Sequence, residues 1–159
     1  DFGETKTADS EIMYCIKESE KIKINAYAYS DYFQSLTLIV SCYEKNGSIE
    51  KLNKVNTAKI CKQASRFYKL CCSNTELFDE MEETSNEYKF YEFVQKNKKH
   101  IENLYVVLIT NKLVNGDLPE DVMINKTSVK YDVWDIERLV QGVYQRKEAE
   151  KLTVRFKNK

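Results

Sequence analysis

The stretch Leu104–Thr110, LYVVLIT, is apolar over its first six residues and shows no polar–apolar alternation. Strands wetted on one side alternate; a continuous run of this kind marks a strand buried on both faces of a parallel or mixed sheet. A chain carrying such a strand must supply neighbours beside it and a covering layer on each face. This argues against a helical bundle and for an α/β domain.

The rest of the chain offers candidates for those neighbours and layers. IMYCI (12–16), KINAYAY (23–29) and SLTLIVSCY (35–43) are rich in Ile, Val, Tyr and Thr and are separated by polar clusters, so they read as strands. In the second, Ile22, Ile24, Ala26 and Ala28 alternate with Lys23, Asn25, Tyr27 and Tyr29. Asp31–Gln34 reads as the hairpin tip between segments 22–29 and 36–43, and Asn46-Gly47 as the turn that closes the meander. Over 53–72 the period changes: Val55, Ala58, Cys61, Ala64, Phe67, Tyr68 and Cys71 form one helix face, with Asn53 or Asn56 as N-cap. Residues 76–101 continue helical with Leu77, Met81, Tyr88, Tyr91 and Val94, and Thr84-Ser85-Asn86 divides them. Asn115-Gly116 and Pro119 punctuate a loop, VKYDVW (129–134) is a further strand, and Asp135 caps a helix from Ile136 to about Tyr144. LTVRF (152–156) reads as a closing strand, and its basic surroundings suit a sheet edge. This order predicts right-handed βαβ connections in the second half. The expected fold is one α/β domain over 1–159: an antiparallel meander continued into a mixed sheet flanked by helices.

Length and composition narrow the function classes. A chain of 159 residues with 42% hydrophobic and 31% charged residues has enough core for one domain and is not disordered. Its formal net charge of zero provides no global field toward DNA or anionic lipid. The five cysteines, Cys15, Cys42, Cys61, Cys71 and Cys72, include no CxxC pair, and His100 is the only histidine, so zinc-ligand spacing is absent. Free thiols and a cytoplasmic location are the expectation, with no signal peptide and no membrane-spanning run. No GxxxxGK[ST] or GxGxxG phosphate loop occurs. Asp79, Glu80, Glu82 and Glu83 spread around a helix as a solvated face, and His100 closes a lysine-rich helix end, where the helix dipole favours it. The start at Asp1 suggests a fragment of a longer protein.

A meander followed by helix, strand, strand and helix resembles the core of restriction-endonuclease-like, PD-(D/E)xK, folds. KINAYAYSDYFQSLTLIVSCY, together with LYVVLITNKLV and YDVWDIERLVQGV, is similar to the N-terminal domain of bacterial abortive-infection phage-resistance (AIPR) proteins, VWDIERL being the most specific string. The resemblance implies phage defence, with this domain at the front of a longer protein. Nucleases of the wider fold carry an Asp on the hairpin and Glu-x-Lys on the next strand, which hold Mg²⁺ and polarise water. Here those positions fall on Asn25, Val40 and Cys42, so the site reads as degenerate and no cofactor is expected. Glu11, Glu18, Glu44 and Lys45 are the candidates for a migrated site, in which case Mg²⁺ would return.

Thr110, Asn111, Trp134 and Asp135 end two strands read as parallel. That edge is where open α/β sheets bind ligands, although capping by Asp135 and packing by Trp134 account for both residues. Tyr14, Tyr27, Tyr29, Tyr32, Phe33 and Tyr43 could form a contact surface or simply half-buried sheet. The leading reading is a non-catalytic domain acting through nucleic-acid or protein contacts. Its rivals are a metal-dependent nuclease with a rearranged site and a docking module for the downstream domains of the same protein. No membrane partner is expected.

Overall fold

The computed structural model describes the backbone of residues 11–17, 22–73 and 76–157, and the side chains of 22–73 and 76–150. Its strands are β1 (Glu11–Lys17), β2 (Ile22–Ser30), β3 (Ser35–Cys42), β4 (Lys51–Asn53), β5 (Asn103–Thr110), β6 (Leu113–Asn115), β7 (Val122–Ile124) and β8 (Thr127–Trp134). The helices are α1 (Lys54–Ser73), α2 (Glu76–Asp79), α3 (Asn86–Asn97) and α4 (Ile136–Lys157). Six strands make one mixed sheet in the order β1-β2-β3-β5-β8-β7, while β4 and β6 pair separately. The apolar run is where its composition requires: β5 lies between β3 and β8, parallel to both.

Register follows from the faces. Leu36, Leu38 and Val40 of β3 stand beside Leu104, Val106 and Leu108 of β5, and Leu104 beside Val129 of β8. All seven are buried in one core with Cys61, Ala64, Phe67, Tyr68 and Cys71 of α1 and Phe90 and Val94 of α3. Burial of each large side chain here contributes about 1.5–3 kcal/mol relative to exposure. Helix α1 begins where expected: Asn53 Oδ1 accepts the Asn56 N–H at 2.9 Å, which makes Asn53 the cap. Val55, assigned to the buried stripe from its spacing, is instead exposed in the first turn. Ser85 caps α3 by accepting the Tyr88 N–H at 3.2 Å, which accounts for the predicted break.

The hairpin 22–29/36–43 is antiparallel as predicted, with Ala26 opposite Ile39 and Ser30 opposite Ser35. Tyr27 and Tyr29, expected to face away from Ile22 and Ile24, pack against the same core, on Phe90 and Phe93. Alternation is broken on the neighbouring strand as well, since the β1–β2 register shifts between Ile12 and Cys15.

Two expectations are corrected. Residues 152–156 are not a strand; they lie within α4, which runs on past Tyr144 to Lys157. The preceding Gln145–Lys151 segment, QRKEAEK, consists of strong helix formers that propagate the helix across the β-branched residues. The helical crossover also lies earlier than predicted. It is α1–α3 that joins parallel β3 to β5, whereas β5 reaches β8 through β6, a loop and β7. Gly116, at φ 114 and with a position where an added Cβ would meet Lys54 Cβ at 2.9 Å, sets that turn in a conformation closed to other residues.

Candidate functional site at the carboxyl edge of the sheet

The parallel register brings the carboxyl ends of three strands side by side. Cys42 stands opposite Thr110, and Ile109 opposite Trp134. Four sequence-derived binding candidates, Thr110, Asn111, Trp134 and Asp135, therefore share one edge with Cys42, Glu44 and Lys45.

Each has a structural partner there. Thr110 is buried and its Oγ1 accepts the Lys112 N–H at 3.1 Å. Asn111 donates from Nδ2 to Glu44 O at 2.8 Å and accepts the Glu44 N–H on Oδ1 at 3.0 Å. Asp135 caps α4 through the Arg138 N–H at 3.0 Å, and its other oxygen accepts the Val114 N–H at 3.3 Å. The Arg138 guanidinium lies 4.3 Å from the Trp134 ring centroid and donates to Asp132 at 2.7 Å. Lys45 is exposed; its N–H reaches Glu44 Oε1 at 3.0 Å.

The charge at this edge centres on a residue that the sequence reading did not single out. Lys112 Nζ sits 2.9 Å from Glu50 and 3.8 Å from Glu44, with its side chain 15% exposed. The hydrogen bond that its ammonium donates to Glu50 raises its pKa, and the nearby charges of Glu50 and Glu44 add to the rise against desolvation. Its place just beyond the central strand is the one signal that could have picked it out. Glu50, Asp132 and Arg138 had no such signal.

The expected nuclease positions are engaged otherwise. Asn25 Oδ1 accepts the Ser41 N–H at 2.8 Å, and Lys23 Nζ donates to Ser41 O at 2.5 Å. Regular β2–β3 pairing ends at Ala26–Ile39, so these two side chains take over the polar groups of Ser41 that β2 backbone leaves unpaired. Val40 is 0% exposed within the core, and Cys42 is a half-buried free thiol. An amide oxygen already accepting, a buried valine and a thiol beside an ammonium do not fit a hard divalent cation, which takes clustered oxygens. Among the described residues no three Cys, His, Asp or Glu converge to hold a metal. The β1 residue Glu11 pairs by backbone with Tyr27, and its side chain lies outside the described residues, as do Glu18 and the Tyr14 side chain.

Other singled-out residues are accounted for. Asp79 ends α2, and Glu80, Glu82 and Glu83 follow it in a turn segment rather than on a helix; all four are exposed, as is His100 beyond the end of α3, whose N–H bonds Asn97 O at 2.8 Å. Cys42, Cys61, Cys71 and Cys72 are free thiols, the Cys15 side chain lying outside the described residues. No described helix is long and apolar enough to cross a membrane.

Fold and edge together define a mixed α/β domain whose carboxyl edge is cross-linked by its own polar side chains. The model of the abortive infection phage resistance protein N-terminal domain matches residues 3–141, and the chain belongs to that family. No curated protein matches it, and no solved structure does.

Proposed function

We propose that this chain is a non-catalytic N-terminal domain of an abortive-infection phage-defence protein, derived from a restriction-endonuclease-like core and acting through contacts with nucleic acid or protein. The observation that carries the reading is Val40. Where a nuclease would present a metal-binding carboxylate, this chain buries an aliphatic side chain among Leu38, Leu108 and the α1 residues. Asn25 supports it, because its oxygen is committed to the Ser41 peptide. Free thiols at four described cysteines suit the reducing cytoplasm.

A second reading, a nuclease with a rearranged site, draws on Glu44, Glu50 and Lys112, which meet beside Cys42. A third, docking to the downstream part of the same protein, draws on the exposed Val140, Val143 and Tyr144 of α4.

The test is incubation of the purified chain with single- and double-stranded DNA and RNA in Mg²⁺ or Mn²⁺. No cleavage is expected. Cleavage abolished by Glu44→Ala or Lys112→Ala would establish the rearranged nuclease instead.

A further inference from the structure

The opposite, amino edge of the sheet carries a second constellation. There the parallel register sets Ser35, Asn103 and Ser128 in a row. A cleft of about 770 Å³ opens beside them, lined by Tyr68, Cys72, Lys98, Lys99, Glu102 and Lys126 among others. Its floor is polar and ordered. Thr127 Oγ1 donates to Ile101 O at 2.8 Å, so its one proton is used and the Tyr68 hydroxyl donates to it at 3.0 Å. Lys98 reaches only a neutral group, Gln95 Oε1 at 2.7 Å, and among the described residues none of the three lysines is in an ion pair. Among the described residues Glu102 is the one carboxylate lining the cleft, so their charges sum to a positive surplus.

The β2–β3 hairpin tip is tied to this cleft. Gln34 O accepts the N–H groups of Glu102 and Asn103, at 2.9 and 3.2 Å. Just before it, Tyr32 and Phe33 stand 88% and 47% exposed, their rings edge to face with centroids 4.9 Å apart. Large aromatic rings presented to solvent on a turn that is hydrogen-bonded to the rim of a lysine-lined cleft combine a stacking platform with phosphate attraction. Bases inside a duplex cannot stack on such rings, whereas unpaired ones can.

We propose that the amino edge, with Lys98, Lys99 and Lys126 on phosphates and Tyr32 and Phe33 on bases, binds single-stranded nucleic acid. The inference gives a partner class to the contact role proposed above. It does not depend on whether the carboxyl edge is catalytic.

The experiment is fluorescence anisotropy of the full chain with labelled oligothymidylate and oligouridylate of about twenty nucleotides, long enough to span one such site. Three phosphate contacts on a single strand predict a log–log salt slope near about −2, a loss of about 20-fold in affinity between about 50 and about 200 mM salt. The Lys98→Ala/Lys99→Ala/Lys126→Ala variant should flatten that slope. Tyr32→Ala/Phe33→Ala should weaken binding at least about fivefold and leave the slope unchanged. Lys51→Ala/Lys59→Ala/Lys89→Ala, at exposed lysines away from the cleft, should bind as the parent does, and circular dichroism confirms that each variant folds. Absence of binding at low salt, a preference for duplex, or equal losses from both lysine triples would overturn the proposal. Cleavage of the bound strand would instead refute the non-catalytic reading while leaving the binding surface in place.

Discussion

Asn111 and Glu44, 67 residues apart in sequence, form a closed ring of two hydrogen bonds in which the Asn111 amide meets both polar groups of the Glu44 peptide. A side-chain amide takes up both backbone polar groups of Glu44 just past the last β3–β5 pair, Cys42 and Thr110. Asn111→Ala should lower stability by about 1–3 kcal/mol, two net hydrogen bonds' worth. Asn111→Asp should cost at least as much, since it replaces the donor to Glu44 O with a second acceptor. Urea unfolding checks both, and a neutral Asn111→Asp would show that the ring contributes nothing.

Asp135 tests whether the edge is held together or poised to bind. It accepts from Arg138 N–H and from Val114 N–H, so it joins α4 to β6. Asp135→Ala should cost about 1–2 kcal/mol, as loss of a helix cap does, and Asp135→Asn should retain most of that stability because an Asn side chain still caps. A binding carboxylate would behave differently, with stability unchanged in either variant.

What could be read from the sequence was local. LYVVLIT placed the central strand, the spacing from Ala58 to Cys71 placed α1, and Ser85 marked the break before α3. What could not be read was which elements meet. Nothing local tells that Lys112 finds Glu50, or that the helical crossover joins β3 to β5 rather than β5 to β8. The 152–156 segment failed for a related reason: its β-branched residues suit a strand only where a partner strand is available, and the helix already under way carried through them. The candidate site was half legible. Strand ends gave Thr110, Asn111, Trp134 and Asp135, but the tasks of these side chains depend on partners that only the fold supplies.

The thiols give a direct check on compartment chemistry. Alkylation of the unreduced, denatured chain should add five labels, one for each cysteine in the sequence. In the native chain Cys61 and Cys71 are buried whereas Cys42 and Cys72 are half-buried, so the first pair should react much more slowly. Fewer than five labels after denaturation would reveal a bridge and remove the argument for a reducing environment.

Burial pushes the Cys61 thiol from 9.0 up to about 11. The folded chain then holds this proton more tightly than the unfolded chain does. Stability from this source is complete below pH 9 and is lost as pH rises toward 11, on the order of 3 kcal/mol across the window. Cys61→Ala should lower stability below pH 9 by leaving a small cavity, yet decline less steeply between those limits. Parallel pH slopes for parent and variant would contradict the assignment.

Val40 and Asn25 decide whether the nuclease positions can be rebuilt. Val40→Glu places a carboxylate among Leu38, Leu108 and the α1 side chains of the apolar core, and should destabilise by about 3 kcal/mol or more. Asn25→Asp keeps an acceptor for the Ser41 N–H and should change stability by less than about 1 kcal/mol, while Asn25→Ala strands that N–H and should cost more. With Cys42→Lys added to Asn25→Asp and Val40→Glu, millimolar Mn²⁺ should still not raise the melting temperature, because the rebuilt carboxylate points into the apolar core rather than toward Asn25. Thermal unfolding with and without Mn²⁺ measures this. A metal-dependent rise confined to the triple variant would show that the core can open to present Glu at position 40, and the burial of Val40 would then no longer argue against catalysis.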